Sequence, residues 1–182
     1  MLQTRMRTPK RINFGIHNKM KMSNQSEFVA KLTLDAWNGQ VSRADKFFSA
    51  HSDAQLENEV SPNRNTGVYL LGHLTAVHDS LLPLLGLGEK LYPELETPFI
   101  KNPDKSGIQK PPLKDLRKCW KEVNAILNQK FSEFTIDQWL QKHNAVSEED
   151  FQKEPHRNKL NVLLSRTNHI AYHLGQLAFL KD

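Results

Sequence analysis

Cysteine is nearly absent: the 182-residue chain has one, Cys119. A single thiol can form neither an internal disulfide nor a thiolate metal cluster, so a reducing, cytoplasmic setting is expected. Also missing is any run near the roughly 20 apolar residues that a bilayer span requires. The longest apolar stretch, Leu81–Leu87, is interrupted by Pro83 and Gly86, so no membrane partner is expected. Residues 1–22 lack a continuous apolar segment, so no signal peptide is expected either. No alternating strand pattern of useful length, internal repeat, Gly-rich phosphate loop or Ser-His-Asp arrangement occurs. Hydrophobic residues make up 38% of the chain, too many for a disordered one, and the length suits a single domain.

Acidic residues are missing from one place. Residues 1–22 hold six of the 25 Lys and Arg residues and no acid, which leaves 19 basic against 20 acidic residues in the remainder, a net of −1. The overall charge of +5 therefore belongs to a basic N-terminal extension over 1–22, expected to be disordered, and not to the domain over 23–182. A nucleic-acid partner is correspondingly not expected; it would depend on that extension alone.

The apolar periodicity is helical throughout. Phe28, Val29, Leu32, Ala36 and Trp37 follow the polar run Ser23–Glu27 and predict a first helix over about 25–50. A helical turn over Asp53–Val60 precedes Ser61-Pro62. Leu70, Leu74, Val77, Leu81 and Leu85 predict a second helix from Thr66 to Leu85, kinked in its last turn by Pro83. Residues 86–112 carry five of the nine prolines and form a long irregular segment. A 20-residue helix is about 30 Å long, so a parallel neighbour needs at least about nine extended residues to return. The segment suffices, and it can also contribute to the mouth of a site. Leu116, Trp120, Val123, Leu127 and Phe131 mark a third helix over 113–134, and Thr135–Gln138 reads as a capping box opening a short helix. A polar linker over 143–156 follows. The last helix, about 157–181, presents Leu160, Leu163, Leu164, Thr167, Ala171, Leu174 and Ala178, and Arg166 is its only full charge between Leu160 and Leu180. So few charges predict cover on most sides, from the bundle or from a second subunit. The fold class is all-α, most simply a four-helix bundle.

Of the eight histidines, His17, His51, His143 and His156 fall in the extension, at element ends or in linkers. His169 and His173, spaced i, i+4, share one helical face, where two imidazoles can grip one metal ion. The wheel sets the pair off the Leu160/Leu164/Leu174 stripe. A third ligand has to come from elsewhere, and the second helix offers His73 and His78 on different faces; periodicity does not choose between them.

The stretch Asn65-Thr66-Gly67-Val68-Tyr69-Leu70-Leu71-Gly72-His73-Leu74 resembles the second-helix motif of the DinB/YfiT-like metalloenzymes. His169-Ile170-Ala171-Tyr172-His173-Leu174-Gly175-Gln176 resembles that family's last-helix motif, H-x-x-x-H-x-G-Q. The resemblance covers about 23–182. It implies a four-helix bundle of up-down-down-up topology, with the long crossover between helices 2 and 3, and a homodimer. It also implies a divalent metal held by His73, His169 and His173, zinc first, with nickel, iron or manganese as alternatives. His78 has no place in the motif and stays the fallback third ligand. Three neutral imidazoles leave a metal its full charge and an open position, which activates water or a thiol. The implied function is S-transfer to, or hydrolysis of, a small electrophilic substrate, with a low-molecular-weight thiol as partner in the first case.

Further expectations concern single residues. Gln176 is a candidate to orient a ligand or substrate, and Gly175 to permit close helix approach. Tyr172 and Asn168 read as structural or interfacial, Asp79 and Asp104 as weak candidates for proton transfer, and Cys119 as a half-buried small residue. The rival reading is a metal-free, dimeric helical bundle that binds a partner or a small molecule without catalysis.

Overall fold

A computed structural model describes residues 14–180, with side chains from residue 25 onward. Among these residues the fold is all-α with no strand; only isolated bridges join Glu59 to Thr66 and Lys142 to Asn158. The helices are α1 (Phe14–Ala50), α2 (Asp53–Leu56), α3 (Gly67–Asp79), α4 (Leu81–Leu85), α5 (Leu113–Ser132), α6 (Ile136–Trp139), α7 (Glu148–Lys153) and α8 (Lys159–Leu177). The two most extensive packings are α1 on α8 and α3 on α5, and α3 also meets α8.

α1 begins at Phe14 and not near residue 25, so positions 14–22 of the basic extension are helical; residues 1–13 lie outside the described residues. Its buried face also differs from the expected one. Ala30, Trp37, Ala44 and Phe48 are buried with Leu34 and Val41 packed beside them, a stripe stepping by four and three residues. Phe28, Val29 and Leu32 instead stand 62%, 52% and 52% exposed. A wheel drawn from the helix's first apolar residues put the core about one position out of phase, because Trp37 belongs to both stripes.

The second helix breaks at Ser80, upstream of the expected kink. Pro83 lacks the N–H that would bond the carbonyl four residues back, at Asp79, and α3 ends there. The Ser80 hydroxyl donates to the Ala76 carbonyl at 2.9 Å, a bond that also loosens the helical ladder. Gly86, at φ 71°, closes α4 in the left-handed conformation. Gly67–Leu85 is long and apolar enough to cross a membrane, yet 67% of its most apolar window is buried within the structure, as the central helix of a packed core would be.

α5 follows its sequence pattern closely: Leu116, Trp120, Val123, Leu127 and Phe131 are all buried. The Thr135/Gln138 capping box forms as expected, and a second one, Ser52/Gln55, opens α2. The linker over 143–156 contains a helix that was not expected. Ser147 caps α7 by accepting from the Asp150 backbone, and Glu148, Glu149 and Asp150 fall in its first turn, where acids favour the helix dipole. Aromatic contacts knit the core: Trp37 meets His78 at 4.7 Å and Phe131 at 5.8 Å, and Phe48 meets Trp120 at 5.7 Å.

The segment 86–112 is ordered by docking onto α3. It contains a 3-10 turn, Pro93–Leu95, and a π-helical turn, Thr97–Lys101. Asp79, 1% exposed, accepts from the Leu91 and Tyr92 backbone at 2.8 and 2.9 Å and pins the near end. Asp104 accepts from the Thr66 backbone and hydroxyl at 2.7 and 2.8 Å, pairs with Lys110, and pins the far end to the start of α3. Both aspartates are thus anchors of this segment. Between them the Phe99 ring fills the place that a side chain at residue 72 would take. A Cβ on Gly72 would sit 2.3 Å from the ring, so only glycine permits the contact.

Candidate metal centre

His73, His169 and His173 converge, each offering one nitrogen, with all three nitrogens within 4.8 Å of one another. The Nε2 atoms of His73 and His169 are 3.2 Å apart, and those of His173 and His169 are 3.0 Å apart. His78 is not in the cluster. It lies fully buried between Trp37 and Trp120, with Nδ1–H donated to Asn124 Oδ1 at 2.8 Å and the Asn124 amide donated on to the Trp120 carbonyl. Burial drives its pKa down to about 3, so it is a neutral core residue near neutral pH.

Each ring is held by identifiable local structure. His73 follows Gly72 on α3, and the Phe99 carbonyl accepts its Nδ1–H at 2.7 Å. The close Phe99–Gly72 contact therefore also sets the tautomer of His73. On α8, His173 donates Nδ1–H to Gln176 Oε1 at 2.7 Å, and the Gln176 amide donates to the Tyr172 hydroxyl at 3.1 Å. His169 Nδ1 is buried without a hydrogen-bond partner.

That pattern tests whether a cation fits. With Nδ1 protonated on His73 and His173, both Nε2 lone pairs are bare, and both are aimed at His169 Nε2. The one ring proton of a neutral His169 satisfies at most one of them. An unmet buried acceptor costs about 1–3 kcal/mol. Protonating the rings is opposed as well. Burial is the largest cause lowering all three pKa values; repulsion from neighbouring rings adds to it at His173 and at His169, which falls to about 4. Arg166, one turn before His169, further disfavours charge on His73 and His169. The cluster brings three neutral donors together, a set that suits a cation. Two nitrogens each about 2.05 Å from one ion lie about 2.9 Å apart at a right angle and about 3.3 Å apart at the tetrahedral angle; the two separations to His169 Nε2, 3.2 and 3.0 Å, fall between these. The three histidines could hold a metal ion.

Set against known protein families and against curated proteins, the sequence matches none.

The histidine pair sits differently from its expected place on the wheel. The buried face of α8 is Leu163, Thr167, Ile170, His173 and Leu177, with His173 7% exposed. The pair therefore belongs to the core-facing stripe, and Leu164, at 46% exposure, does not. The bundle itself does not cover α8 on most sides: Tyr172 is 63% exposed within the chain. Gly175 does not serve close helix approach, because nothing lies within 4 Å of a Cβ built there. Cys119 is buried on α5 against Tyr92, and burial raises its pKa. Two contributors escaped the sequence reading. The Phe99 carbonyl carried no signal of its own, although a glycine next to a candidate ligand on a helix is a cue for a close-packed partner. Arg166 stood out as the lone charge of its helix, and its Nε is buried and unpartnered.

Proposed function

We propose that the chain is a DinB-like metalloenzyme in which His73, His169 and His173 hold a divalent ion, zinc first. The observation that carries this reading is the convergence of three Nε2 atoms, two of them bared by hydrogen bonds at the opposite ring nitrogen. The finer architecture is an up-down-down-up four-helix bundle of α1, α3–α4, α5 and α8. Supporting the topology, Trp37 meets Phe131 while Phe48 meets Trp120, which sets α1 against the direction of α5. Leu71 and Trp120 line one cleft and His78 bonds Asn124, steps in the same direction along α3 and α5, as parallel helices require.

A divalent ion in this setting supplies Lewis acidity that makes water or a thiol nucleophilic at neutral pH. The residues of the chain do the positioning. Phe99 and Gln176 fix two imidazoles with Nε2 toward the centre, and the packed core keeps the rings from turning. Among the described residues no carboxylate joins the three-histidine cluster, and Cys119 is buried on α5 outside it. The nucleophile thus comes from outside the protein. S-transfer from a low-molecular-weight thiol to a small electrophile is the first reading, and hydrolysis the second.

Elemental analysis of untagged protein, beside His73→Ala and His169→Ala variants shown to be folded by circular dichroism, tests the site. About one metal per chain in the parent and none in either variant is expected. No metal after reconstitution with zinc, nickel and manganese overturns the reading.

A further inference from the structure

The outer end of α8 carries a feature that metal binding does not use. An open cleft of about 610 Å³ is lined by Val60 and Arg64, ahead of α3, and by Tyr172, Gly175, Gln176 and Phe179. Its size is that of a small-molecule site, which typically spans about 300–1,000 Å³. Gln176 belongs to both places: its Oε1 accepts from the ligand-set residue His173 at 2.7 Å, and its side chain lines the cleft.

The lining is chemically mixed. Tyr172 and Phe179 leave 63% and 71% of their surfaces exposed, and both border this one cleft. Gly175 keeps the floor open, with nothing within 4 Å of its Cβ position. A glycine inside a helix costs about 1 kcal/mol relative to alanine, so the open floor is maintained against helix propensity. Arg64 is exposed, and its guanidinium forms no ion pair among the described residues.

We propose that this cleft binds the body of the molecule that reacts at the histidine centre, a small organic anion with a flat apolar group. The ring lies on the Gly175 floor against Tyr172 and Phe179, and a carboxylate meets the Arg64 guanidinium, a charge-assisted and bidentate match. The reacting end rests on the metalloenzyme reading; binding of the body does not.

The probes are 1-naphthoate and its neutral counterpart naphthalene-1-methanol, titrated by calorimetry into zinc-loaded and metal-free protein. Gly175→Phe projects a ring from the cleft floor, where a Cβ meets nothing within 4 Å, and circular dichroism confirms that each variant is folded. The expected result is saturable naphthoate binding to the parent in both forms, lost in Gly175→Phe and about tenfold weaker in Arg64→Gln. The neutral probe should respond to Gly175→Phe and not to Arg64→Gln. Phe28→Ser, on an exposed apolar surface elsewhere, should change neither. No binding at millimolar probe, or equal binding in all chains, overturns the proposal. Sedimentation velocity tests the other occupant: a parent dimer that Gly175→Phe converts to monomer places a second copy in the cleft and overturns it too. Because the metal-free titration stands apart from metal content, failure of the cleft and failure of the metal centre are read separately.

Discussion

Replacing Gly72 with alanine sets two effects of opposite sign against each other. In an open helix the change stabilises by about 1 kcal/mol, because alanine loses less backbone entropy on folding. Here the added Cβ would lie 2.3, 2.4 and 2.5 Å from three carbons of the Phe99 ring, where about 3.5–4.0 Å is the resting contact. Phe99 is fully buried, so its ring has to retreat by about 1 Å into packed neighbours, at a cost of about 1–3 kcal/mol. The Phe99 carbonyl retreats with it and loosens its 2.7 Å bond to His73, a further loss of about 1 kcal/mol. The steric and hydrogen-bond terms outweigh propensity, and the net expectation is about 1–3 kcal/mol of destabilisation. Urea unfolding of metal-free protein at pH 7.5 measures it. With His73 no longer held, zinc affinity measured against a chromophoric chelator should fall about 10- to 100-fold. Gly175→Ala is the matched control: with nothing within 4 Å of its Cβ, it should stabilise by up to about 1 kcal/mol. In a Phe99→Ala background Gly72→Ala should cost nothing, because the clash is gone. A Gly72→Ala protein as stable as the parent would refute the argument that Phe99 sets the geometry of His73.

His78→Gln should cost about 1–3 kcal/mol in the same urea assay yet keep one metal per chain; loss of the metal would make His78 a ligand. Gln176→Ala should lower zinc affinity about tenfold while Tyr172→Phe leaves it unchanged, both read in the chelator competition. The pH dependence of metal-free protein follows from the depressed histidines. His78 is held to about 3 and His169 to about 4, against about 6.5 in the unfolded chain. Below pH 6.5 the unfolded state therefore binds more protons, and the stability present above pH 6.5 drains away as pH falls toward 4. Each such histidine contributes a slope approaching about 1.4 kcal/mol per pH unit. Urea midpoints at pH 7.5 and 5.0 should differ clearly, and His78→Gln should flatten the difference; equal midpoints for the parent would refute the burial argument.

What the sequence made legible divides along a physical line. Properties written into one helix's own periodicity were readable: the α5 face, the Thr135 capping box, and the i, i+4 spacing of His169 and His173 all follow from 3.6 residues per turn. Phase was less secure. On α1 the exposed Phe28, Val29 and Leu32 are as apolar as the buried Ala30 and the half-buried Leu34 and Val41, so composition could not say which stripe faces inward; packing against α8 and α5 decides it. The same ambiguity put the α8 histidines off the core when His173 lies within it. The least legible features are those formed between distant segments. Periodicity left His73 and His78 equivalent, because the difference is made by what each ring meets: Asn124 and two tryptophans for one, the Phe99 carbonyl and the α8 pair for the other. The proline-rich segment 86–112 shows no period at all, yet it supplies the carbonyl that leaves a lone pair of His73 free for the centre. Its two anchoring aspartates read as candidate acids for the same reason. A buried carboxylate that accepts backbone N–H bonds and one that moves protons are the same letter in a sequence, and only the partners tell them apart.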